Sequence, residues 1–402
     1  MHTVALLLHP VDALFFRDAR PFGAGDHGRS RLPSPQTFAG MLKTHLLRAA
    51  GLEPRALHGL HDPPPEQRHW FTRLRFRGPW LYVHSPDLLA KQWPKEEPDR
   101  PVPPPRVAGP LFAAPADLFQ RDAKNNNHDG PPLCRASVLE SPPGWPHRDL
   151  QALWCPRDGY EPARGLIDAA GLKTYLAGDP PEHVWKLDAF VGWEDRTGLA
   201  MDGDRNTGRE GLLYSLSLLR LKPGVCFYGE LLLPEDCPGQ PDELLPPALC
   251  LPWGGEGRRV SLSRPERPFP WRDQTPGEPA DLFTTLLLTP GIFANGNGGD
   301  GPLSGPWKPS GRAPGALVAA AVPKPEPVSG WDLAGAQAEG HGHAKPTRFT
   351  VPAGAVYYWQ RGKNAAPEPL PAETPASLCD RPSDRDLGWG LALRGRPARK
   401  ES

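Results

Sequence analysis

The chain has 402 residues and no net formal charge, because 46 basic side chains balance 46 acidic ones. This length is sufficient for two domains that each bury a hydrophobic core. A protein that binds nucleic acid regardless of sequence is normally basic, so the neutral balance argues against that class and allows only a local nucleic-acid contact. The six cysteines include no Cys-x-x-Cys pair, which argues against a disulfide scaffold or a zinc ribbon.

The sequence shows neither a targeting signal nor a membrane span. The opening apolar run from Val4 to Leu8 is short and follows no basic stretch, and no run approaches the ~20 apolar residues that cross a bilayer. We therefore expect a cytoplasmic protein that contacts no membrane. Because no cluster of metal ligands and no paired carboxylates stand out, we also expect no cofactor, no metal and no catalytic residue.

The N-terminal segment predicts a strand, a loop and a helix in succession. Residues 3–9 are typical of a buried strand, and Ser34 followed by Pro35 is typical of a helix start. Apolar residues then recur at helical spacing until Gly51, which predicts the helix end.

The loop between this strand and helix is rich in arginine and glycine. It contains four arginines and three glycines: Arg17, Arg20, Arg29 and Arg31 with Gly23, Gly25 and Gly28. Guanidinium groups suit the geometry of phosphate, and glycines allow backbone N–H groups to approach an anion. The loop therefore indicates a site for a polyanion. The alternative is a solvated loop whose arginines pair with nearby aspartates at positions 12, 18 and 26.

The rest of the first half predicts few regular elements. Residues 74–76 and 80–83 are typical of a hairpin that turns at Arg77-Gly78-Pro79. The Pro-rich, polar segment 86–147 indicates a long irregular insertion with little core. A short helix is expected at 167–177. The order β–α–ββ–insertion–α is compatible with a ferredoxin-like module.

The second half is richer in predicted strands. Residues 212–222 alternate between apolar and polar side chains, and the alternation changes phase near Leu219, which predicts a β-bulge there. A turn at Lys222-Pro223-Gly224 then leads into a strand at 225–233, which we expect to pair with the strand before the turn. Further strands are expected at 283–289, 316–322, 348–359 and 388–394.

Two further segments of the second half combine arginine with glycine. Residues 193–211 predict a hairpin whose tip carries Arg196 and Arg205, and such a tip can hold bases or grip a backbone. Residues 254–259 predict a glycine-rich turn, Gly254-Gly255-Glu256-Gly257-Arg258-Arg259, that could hold a phosphate. The turn lacks the GK[ST] of a P-loop, and no helix follows it. The alternatives are an exposed hairpin and an ordinary tight β-turn.

Several landmark segments occur in one order along the chain. They are FFRDARPF (15–22), PSPQTFAGMLK (33–43), WEDRTGLAMD (193–202), REGLLY (209–214), LPWGGEGRRVSL (251–262), VSGWDL (328–333), PTRFTVPAGAVYYW (346–359) and GWGLALRG (388–395). In this combination the chain resembles the RAMP subunit usually numbered third in the type III-B (Cmr) CRISPR effector complex. The resemblance spans nearly the whole chain except the segment 86–147.

The resemblance implies an α+β fold of two ferredoxin-like RAMP modules with antiparallel sheets. We expect these modules at 1–180, with the irregular insertion, and at 181–402, with the hairpin at 188–222 and the glycine-rich turn. It also implies a non-catalytic subunit that holds the repeat-derived 5′ tag of the CRISPR RNA. The implied partners are the large polymerase/cyclase-like subunit and the neighbouring RAMP backbone subunits.

The resemblance also marks candidate RNA-binding residues. Those that match the family pattern are Arg17, Asp18, Arg20, Phe22, Thr37, Gly40, Arg196, Gly254, Gly255, Glu256, Gly257 and Arg258. Lys43 stands where the family commonly has arginine, and Arg205 and Arg259 join the set from the residue patterns alone. Gly198, Gly211 and Tyr214 also match, and we expect them to shape the fold.

One alternative function is enzymatic. A RAMP-type endoribonuclease that cuts precursor CRISPR RNA needs a general base near the bound phosphate, and His27 in the arginine-rich loop is the candidate. A histidine in such a loop can also be an ordinary loop residue. A third alternative is a scaffold that contacts only proteins.

Overall fold

The structure is a computed structural model. It describes residues 1–17, 27–52, 69–93, 102–122, 130–139, 144–145, 150–202, 207–276, 281–294, 306–310, 312–332, 343–362 and 374–399. For 199–202, 207–213, 331–332 and 343–344 it describes the backbone alone.

The described residues form short helices and many strands. The α-helices are α1 (Pro35–Ala49), α2 (Pro86–Lys91), α3 (Ala169–Leu176), α4 (Pro241–Leu244) and α5 (Pro382–Asp386), and 3₁₀ turns occur at Leu187–Ala189 and Trp271–Gln274. The strands up to residue 233 are β1 (His2–Pro10), β2 (His27–Arg29), β3 (Arg75–Val83), β4 (Gly109–Pro110), β5 (Phe112–Ala113), β6 (Leu118–Arg121), β7 (Leu133–Arg135), β8 (Ser137–Leu139), β9 (Ala152–Trp154), β10 (Tyr160–Pro162), β11 (Leu166–Ile167), β12 (Val191–Asp202), β13 (Thr207–Leu221) and β14 (Val225–Leu233). The later strands are β15 (Cys250–Pro252), β16 (Arg259–Ser263), β17 (Leu282–Leu287), β18 (Ala316–Ala321), β19 (Glu326–Val328), β20 (Trp331–Asp332), β21 (His343–Ala344), β22 (Arg348–Thr350), β23 (Val356–Gln360), β24 (Ala376–Ser377) and β25 (Leu391–Gly395).

The chain divides into two compact units, each built from three separate segments. The first unit contains Met1–Pro79, Phe190–Pro268 and Pro327–Arg348, and the second contains Trp80–Ala189, Phe269–Glu326 and Phe349–Ser402. These units are a different division from the modules expected at 1–180 and 181–402, which stay a prediction.

The first unit is organised around β1. This strand pairs antiparallel with β14, with Leu6 opposite Gly229, and antiparallel with β16, with Leu8 opposite Leu262. Helix α1 packs on the sheet at Gly229, where an added Cβ would lie 2.5 Å from the Phe38 ring. Phe38 is fully buried, so the apolar side of α1 and the absence of a side chain at Gly229 together fix the helix against β14.

A second sheet of the first unit has the order β12-β13-β2. Strands β12 and β13 form a long antiparallel hairpin, and β2 pairs parallel with β13, with Ser217 opposite Arg29. Leu14 forms a bridge with Leu219. The hairpin therefore lies against the chain on both sides of the arginine- and glycine-rich loop.

The second unit contains a five-stranded sheet of order β18-β23-β17-β25-β24 and a three-stranded sheet of order β10-β6-β7. Its core includes an aromatic cluster in which the Trp80 and Trp271 rings lie 4.9 Å apart and Phe112 lies 5.9 Å from Trp271. Such edge and tilted contacts add to the burial of these large side chains.

A buried polar network is also part of this unit, and Asp117 is its centre. Asp117 accepts hydrogen bonds from Arg135 at 3.1 Å, Tyr175 at 2.8 Å and Tyr358 at 2.6 Å. Arg135 also donates to the Tyr175 carbonyl at 2.9 Å. Both charged side chains are at least 95% buried, with 1% of Asp117 and 5% of Arg135 exposed, so each depends on the other for charge compensation.

The structure confirms the α+β class with antiparallel sheets and several of the expected local elements. The helix at α1 begins after Ser34, whose hydroxyl accepts a hydrogen bond from the Thr37 N–H at 3.3 Å. The strand at the N-terminus, the helix near 169 and the strands β14, β17, β18 and β25 also lie where the sequence predicts them, whereas the single strand expected at 348–359 is divided into β22 and β23. None of the helices in the described ranges is long and apolar enough to cross a membrane.

Three expectations about strand pairing are wrong. Residues 75–83 form the single strand β3 instead of a hairpin, and Gly78 and Pro79 lie within this strand. Strand β14 pairs with β1 and not with the strand before its turn. The phase change near Leu219 needs no bulge there, because Leu218 packs with Ala13 and Phe15 while Leu219 pairs with Leu14 on another side of the strand. The irregular pairing of this hairpin lies instead between Leu199 and Met201.

The expectation of an irregular insertion at 86–147 is also corrected. Within the described residues this segment contains α2 and the strands β4 to β8. Phe112 and Leu118 are fully buried there, and Asp117 holds the polar network. A few apolar residues and one aspartate among many prolines are enough to contribute to the core, which the overall composition of the segment conceals.

The polar network predicts a large loss of stability when Asp117 is replaced by Asn. The substitution keeps the shape of the side chain but leaves the Arg135 charge buried without a counter-ion, which costs about 3–5 kcal/mol. Urea unfolding followed by tryptophan fluorescence measures the change. The control is Tyr358→Phe, which leaves the ion pair intact, removes one hydrogen bond to the same carboxylate and one to the Ala136 carbonyl, and costs about 1.5–3 kcal/mol. Equal effects of the two substitutions would contradict the charge-pair explanation.

Candidate functional site

Two segments that the sequence marks as candidates, the hairpin and the glycine-rich turn, meet at the carboxylate of Asp12, two residues after β1. Arg196 of β12 donates to it at 3.1 Å, Arg220 of β13 at 2.7 Å, and Arg258 after the glycine-rich turn at 2.8 Å. Glu194 accepts further hydrogen bonds from Arg196 at 2.7 Å and from Arg220 at 2.6 Å. The Asp12 cluster, as we call these five residues, therefore joins the hairpin and the turn to the end of β1.

The Asp12 cluster contains three guanidinium groups and two carboxylates, which leaves one positive charge. A hydrogen bond from the Ala13 N–H and another from Arg220 lower the pKa of Asp12 to about 2, from 3.8. Hydrogen bonds from Arg196 and then Arg220 also lower the pKa of Glu194. The arginines are thus committed mainly to carboxylates of the chain itself.

The glycine-rich turn is shaped by the segment that follows β1. Gly254 has a φ of +85°, and a Cβ added there would lie 2.5 Å from the carbonyl oxygen of Phe15. The Gly255 N–H donates to the same oxygen at 2.8 Å, and the Trp253 N–H donates to the Arg258 carbonyl at 2.8 Å. A side chain at Gly254 would therefore separate the turn from the start of the arginine-rich loop.

Helix α1 and the glycine-rich turn line one open cavity of about 190 Å³. Thr37, Gly40, Thr44 and Arg48 lie along the helix side of this cavity, and Trp253 and Gly254 lie on the turn side. The Trp253 indole donates to the Thr37 carbonyl at 3.3 Å, which links the two sides. We call this space the α1–turn cavity.

Trp253 is held firmly in the wall of the α1–turn cavity. Its ring lies edge-on to Phe16 at 4.9 Å and to Phe227 at 5.2 Å, and the residue is 1% exposed. Because Phe16 directly precedes Arg17, the arginine-rich loop begins beside this wall. Arg17 itself is exposed.

The structure brings only part of the predicted set to this cavity. Thr37, Gly40 and Gly254 line it, whereas the Lys43 ammonium lies over the rings of Phe71 and Phe76, at 5.5 and 5.7 Å. Arg196 and Arg258 belong to the Asp12 cluster. Arg259 donates to the sulfur and the carbonyl of Cys250, at 3.2 and 2.8 Å.

The remaining predicted residues lie either in the glycine-rich turn or outside the described residues. A Cβ added at Gly255 would lie 3.2 Å from the Phe15 ring, while Glu256 and Gly257 have positive φ values of 57° and 64° at the exposed tip of the turn. Four predicted residues lie outside the described ranges: Asp18, Arg20, Phe22 and Arg205.

The expectation that Gly198 and Tyr214 shape the fold is confirmed. They are opposite each other in the β12–β13 hairpin, and a Cβ at Gly198 would overlap the Tyr214 ring. The backbone of Gly211 lies in β13.

Sequence reasoning missed several residues of the site. Thr44 and Arg48 lie on the same side of α1 as Thr37 and Gly40, because positions three and four apart share a helix face. Extending the helix pattern by two turns would have found them. The pairing of Asp12 with Arg196, Arg220 and Arg258 had no local signal, since these partners are far away in the sequence.

His27 has partners that its sequence context does not indicate. Its Nδ1 lies 2.7 Å from the Ser215 hydroxyl and its Nε2 lies 3.4 Å from the Ser217 hydroxyl, which in turn donates to Asp195. On the same exposed sheet face, the Arg29 guanidinium lies 4.5 Å from the centre of the Trp193 ring. Among the described residues, no three His, Cys, Asp or Glu side chains are grouped in a way that could hold a metal ion.

A family model described as CRISPR-associated protein (Cas_Cmr3) matches residues 6–397. The chain belongs to this Cas_Cmr3 family. The resemblance to the third RAMP subunit of type III-B (Cmr) CRISPR complexes is thereby confirmed. No curated protein sequence matches the chain.

Solved structures similar to this Cas_Cmr3 protein include chains of type III-B Cmr-beta complexes. One comes from the complex bound to cognate target RNA and AMPPnP, with a TM-score of 0.46, 15% identity, and coverage of 88% of this chain and 86% of the other. The complex bound to cognate target RNA alone gives the same values. A chain of the apo complex gives a TM-score of 0.27 and 10% identity, covering 66% of this chain and 97% of the other.

The Asp12 cluster predicts an acid-sensitive contribution to stability. The pKa of Asp12 is lower in the folded chain, about 2, than the ordinary 3.8, so its ion pairs stabilise the fold above pH 3.8 and are lost as the pH falls toward 2. We expect Asp12→Asn to lower the melting temperature near neutral pH. As the pH falls from 3.8 to 2, the melting temperature of the variant should decrease less than that of the wild type. Thermal unfolding measured across this range tests it.

The matched control is Asp242→Asn. The Asp242 side chain is 90% exposed and makes one ion pair with Arg264, at 3.4 Å, so its substitution should leave the pH profile of the wild-type chain unchanged. An Asp12→Asn profile parallel to that of the wild type would contradict the role given to the Asp12 cluster.

Proposed function

We propose that this Cas_Cmr3 protein is a non-catalytic scaffold subunit that holds the 5′ tag of the CRISPR RNA in a cytoplasmic type III-B effector. In this proposal it also docks the large polymerase/cyclase-like subunit and the neighbouring RAMP backbone subunits, and it contains two ferredoxin-like modules. The observation that carries the proposal is the α1–turn cavity, where two separately predicted RNA-binding segments meet.

The α1–turn cavity offers the chemistry that single-stranded RNA requires. The Thr37 and Thr44 hydroxyls can exchange hydrogen bonds with a base or a ribose, and the exposed Arg48 can contact a phosphate. Trp253 is buried behind the cavity and keeps the turn next to α1. Proteins that recognise unpaired RNA often hold bases that are turned out of the stack and form hydrogen bonds with the edges of these bases. The cavity suits a single nucleotide rather than a duplex.

Arg17 extends the proposed site toward the RNA backbone. Phe15 and Phe16 hold the start of the arginine-rich loop against Gly255 and Trp253. Arg17 follows directly and is exposed, so a strand of RNA leaving the cavity on this side would meet its guanidinium group. Arg196 and Arg258 contribute differently, because Asp12 engages them and they hold the hairpin and the turn in place.

The endoribonuclease alternative is less well supported. A general base needs a ring nitrogen available to the attacking hydroxyl, whereas both ring nitrogens of His27 face serine hydroxyls. This arrangement fits a histidine that ties β2 to β13.

The RNA proposal predicts specific effects of Arg17→Ala and Arg48→Ala. Each substitution removes a contact with a phosphate, so binding of CRISPR RNA should weaken by about tenfold and the dependence on salt should decrease by roughly one unit of slope. Fluorescence anisotropy of labelled CRISPR RNA with the full-length chain, across a salt series, measures both. The same variants should lose CRISPR RNA in the reconstituted complex.

Arg267→Ala is the matched control, since Arg267 is an exposed arginine that does not line the cavity. It should bind as the wild type does. If Arg17→Ala and Arg48→Ala bind normally but melt at a much lower temperature, these arginines are structural and the proposed site is wrong. An absence of RNA crosslinks to the chain within the assembled complex would favour a scaffold that contacts only proteins.

The proposal also predicts that the purified chain does not cut RNA. Repeat RNA incubated with the wild-type chain and with His27→Ala should stay intact in both, as read by a denaturing gel. A defined cut by the wild-type chain that the substitution abolishes would instead establish the endoribonuclease alternative.

A further inference from the structure

We propose that Cys134 and Cys155 form a dithiol pair that is oxidised to an intramolecular disulfide. The two sulfur atoms lie 3.4 Å apart in the second unit. Cys134 lies in β7, opposite Phe119 of β6, and Cys155 directly follows β9. All six cysteines of the chain are in the reduced form in the structure.

The local fold already brings the two chain segments together. Strands β8 and β9 pair antiparallel between the two cysteines, and Ser137 is opposite Trp154. The β8–β9 ladder begins at Ser137, three residues after Cys134, and ends at Trp154, next to Cys155. The paired strands therefore bring together the two ends of the segment, which carry the two thiols. A disulfide has an S–S length of about 2.05 Å, so the sulfurs need to approach by only about 1.4 Å.

The two thiols differ in their access to solvent. Cys134 is 4% exposed, whereas Cys155 is partly exposed and its thiol has one further contact, with the Arg157 carbonyl at 3.7 Å. An external oxidant therefore reaches Cys155 first. Cys134 is then the resolving thiol, already in contact with the sulfur that it must attack.

Oxidised glutathione can serve as the co-reactant. The Cys155 thiolate attacks one sulfur of the glutathione disulfide, which forms a mixed disulfide and releases one glutathione thiolate. The Cys134 thiolate then attacks the Cys155 sulfur and releases the second glutathione. Two protein thiols lose two electrons and two protons, and one glutathione disulfide becomes two thiols.

The other four cysteines lack this arrangement. Burial raises the pKa of Cys226 and, to about 12, that of Cys379, so their thiols stay protonated. Burial, with the nearby Asp236 charge, raises the pKa of Cys237 to about 11. The Cys250 sulfur accepts a hydrogen bond from Arg259 at 3.2 Å instead of contacting another thiol.

The disulfide would close residues 134–155 into a covalent loop. That loop includes β8 and β9 and the exposed Trp154, which has 58% of its surface accessible. It would also fix the edge strand β7, whose last residue, Arg135, is part of the polar network around Asp117. Oxidation would therefore limit the motion of β8 and β9 relative to the β10-β6-β7 sheet.

Peptide mapping of the full-length chain tests the proposal. The chain is incubated with oxidised glutathione, blocked with N-ethylmaleimide, digested with trypsin without reductant and analysed by mass spectrometry. Cleavage after Lys124, Arg135, Arg148 and Arg157 places the two thiols in separate peptides, 125–135 and 149–157. We expect these peptides as one linked species that dithiothreitol separates.

Three variants sharpen the test. Cys134→Ser and Cys155→Ser should each abolish the linked species, and Cys134→Ser should accumulate glutathione on Cys155. Cys250→Ser is the matched control, because Cys250 is also a partly exposed thiol, and it should leave the linked species unchanged. Mixed glutathione disulfides without any linked species in the wild-type chain, or two thiols that stay fully alkylated, would overturn the proposal.

Discussion

One carboxylate holds the candidate site together. Asp12 accepts hydrogen bonds from Arg196, Arg220 and Arg258, which come from the two strands of the hairpin and from the glycine-rich turn. By pairing with three guanidinium groups at the end of β1, Asp12 brings segments that are nearly two hundred or more residues away in the sequence to the start of the arginine-rich loop. With Glu194, the Asp12 cluster retains a single positive charge, and its ion pairs position the hairpin and the turn.

The α1–turn cavity depends on this positioning. The turn meets the backbone of Phe15 so closely that Gly254 admits no side chain, and Trp253 is wedged between Phe16 and Phe227. Helix α1 is fixed independently, by Phe38 against Gly229. Two rigid walls therefore face each other, and their polar groups need little rearrangement to receive a ligand. Pre-organisation of this kind reduces the entropy lost on binding.

The sequence predicts best what neighbouring residues determine. The start of α1 depends on Ser34 and Pro35 and is confirmed, and so is the turn that begins at Gly254. Long-range partners leave no local pattern, which is why the pairing of β14 with β1 and the Asp12 cluster were not foreseen. Composition was also a poor guide at 86–147, since a few buried residues such as Phe112 and Asp117 decide whether a Pro-rich segment joins a core. The predicted residues between Arg17 and His27 lie outside the described residues and stay a prediction.

The most direct measurement is crosslinking of the tag itself within an assembled type III-B effector. CRISPR RNA that carries photoreactive 4-thiouridine at single positions of the 5′ tag is irradiated, and the crosslinked peptides are mapped by mass spectrometry. The account predicts crosslinks to the α1 segment between Thr37 and Arg48 and to the turn at Trp253 and Gly254. Tag crosslinks confined to other subunits, or to surfaces of this chain away from both walls, would contradict it.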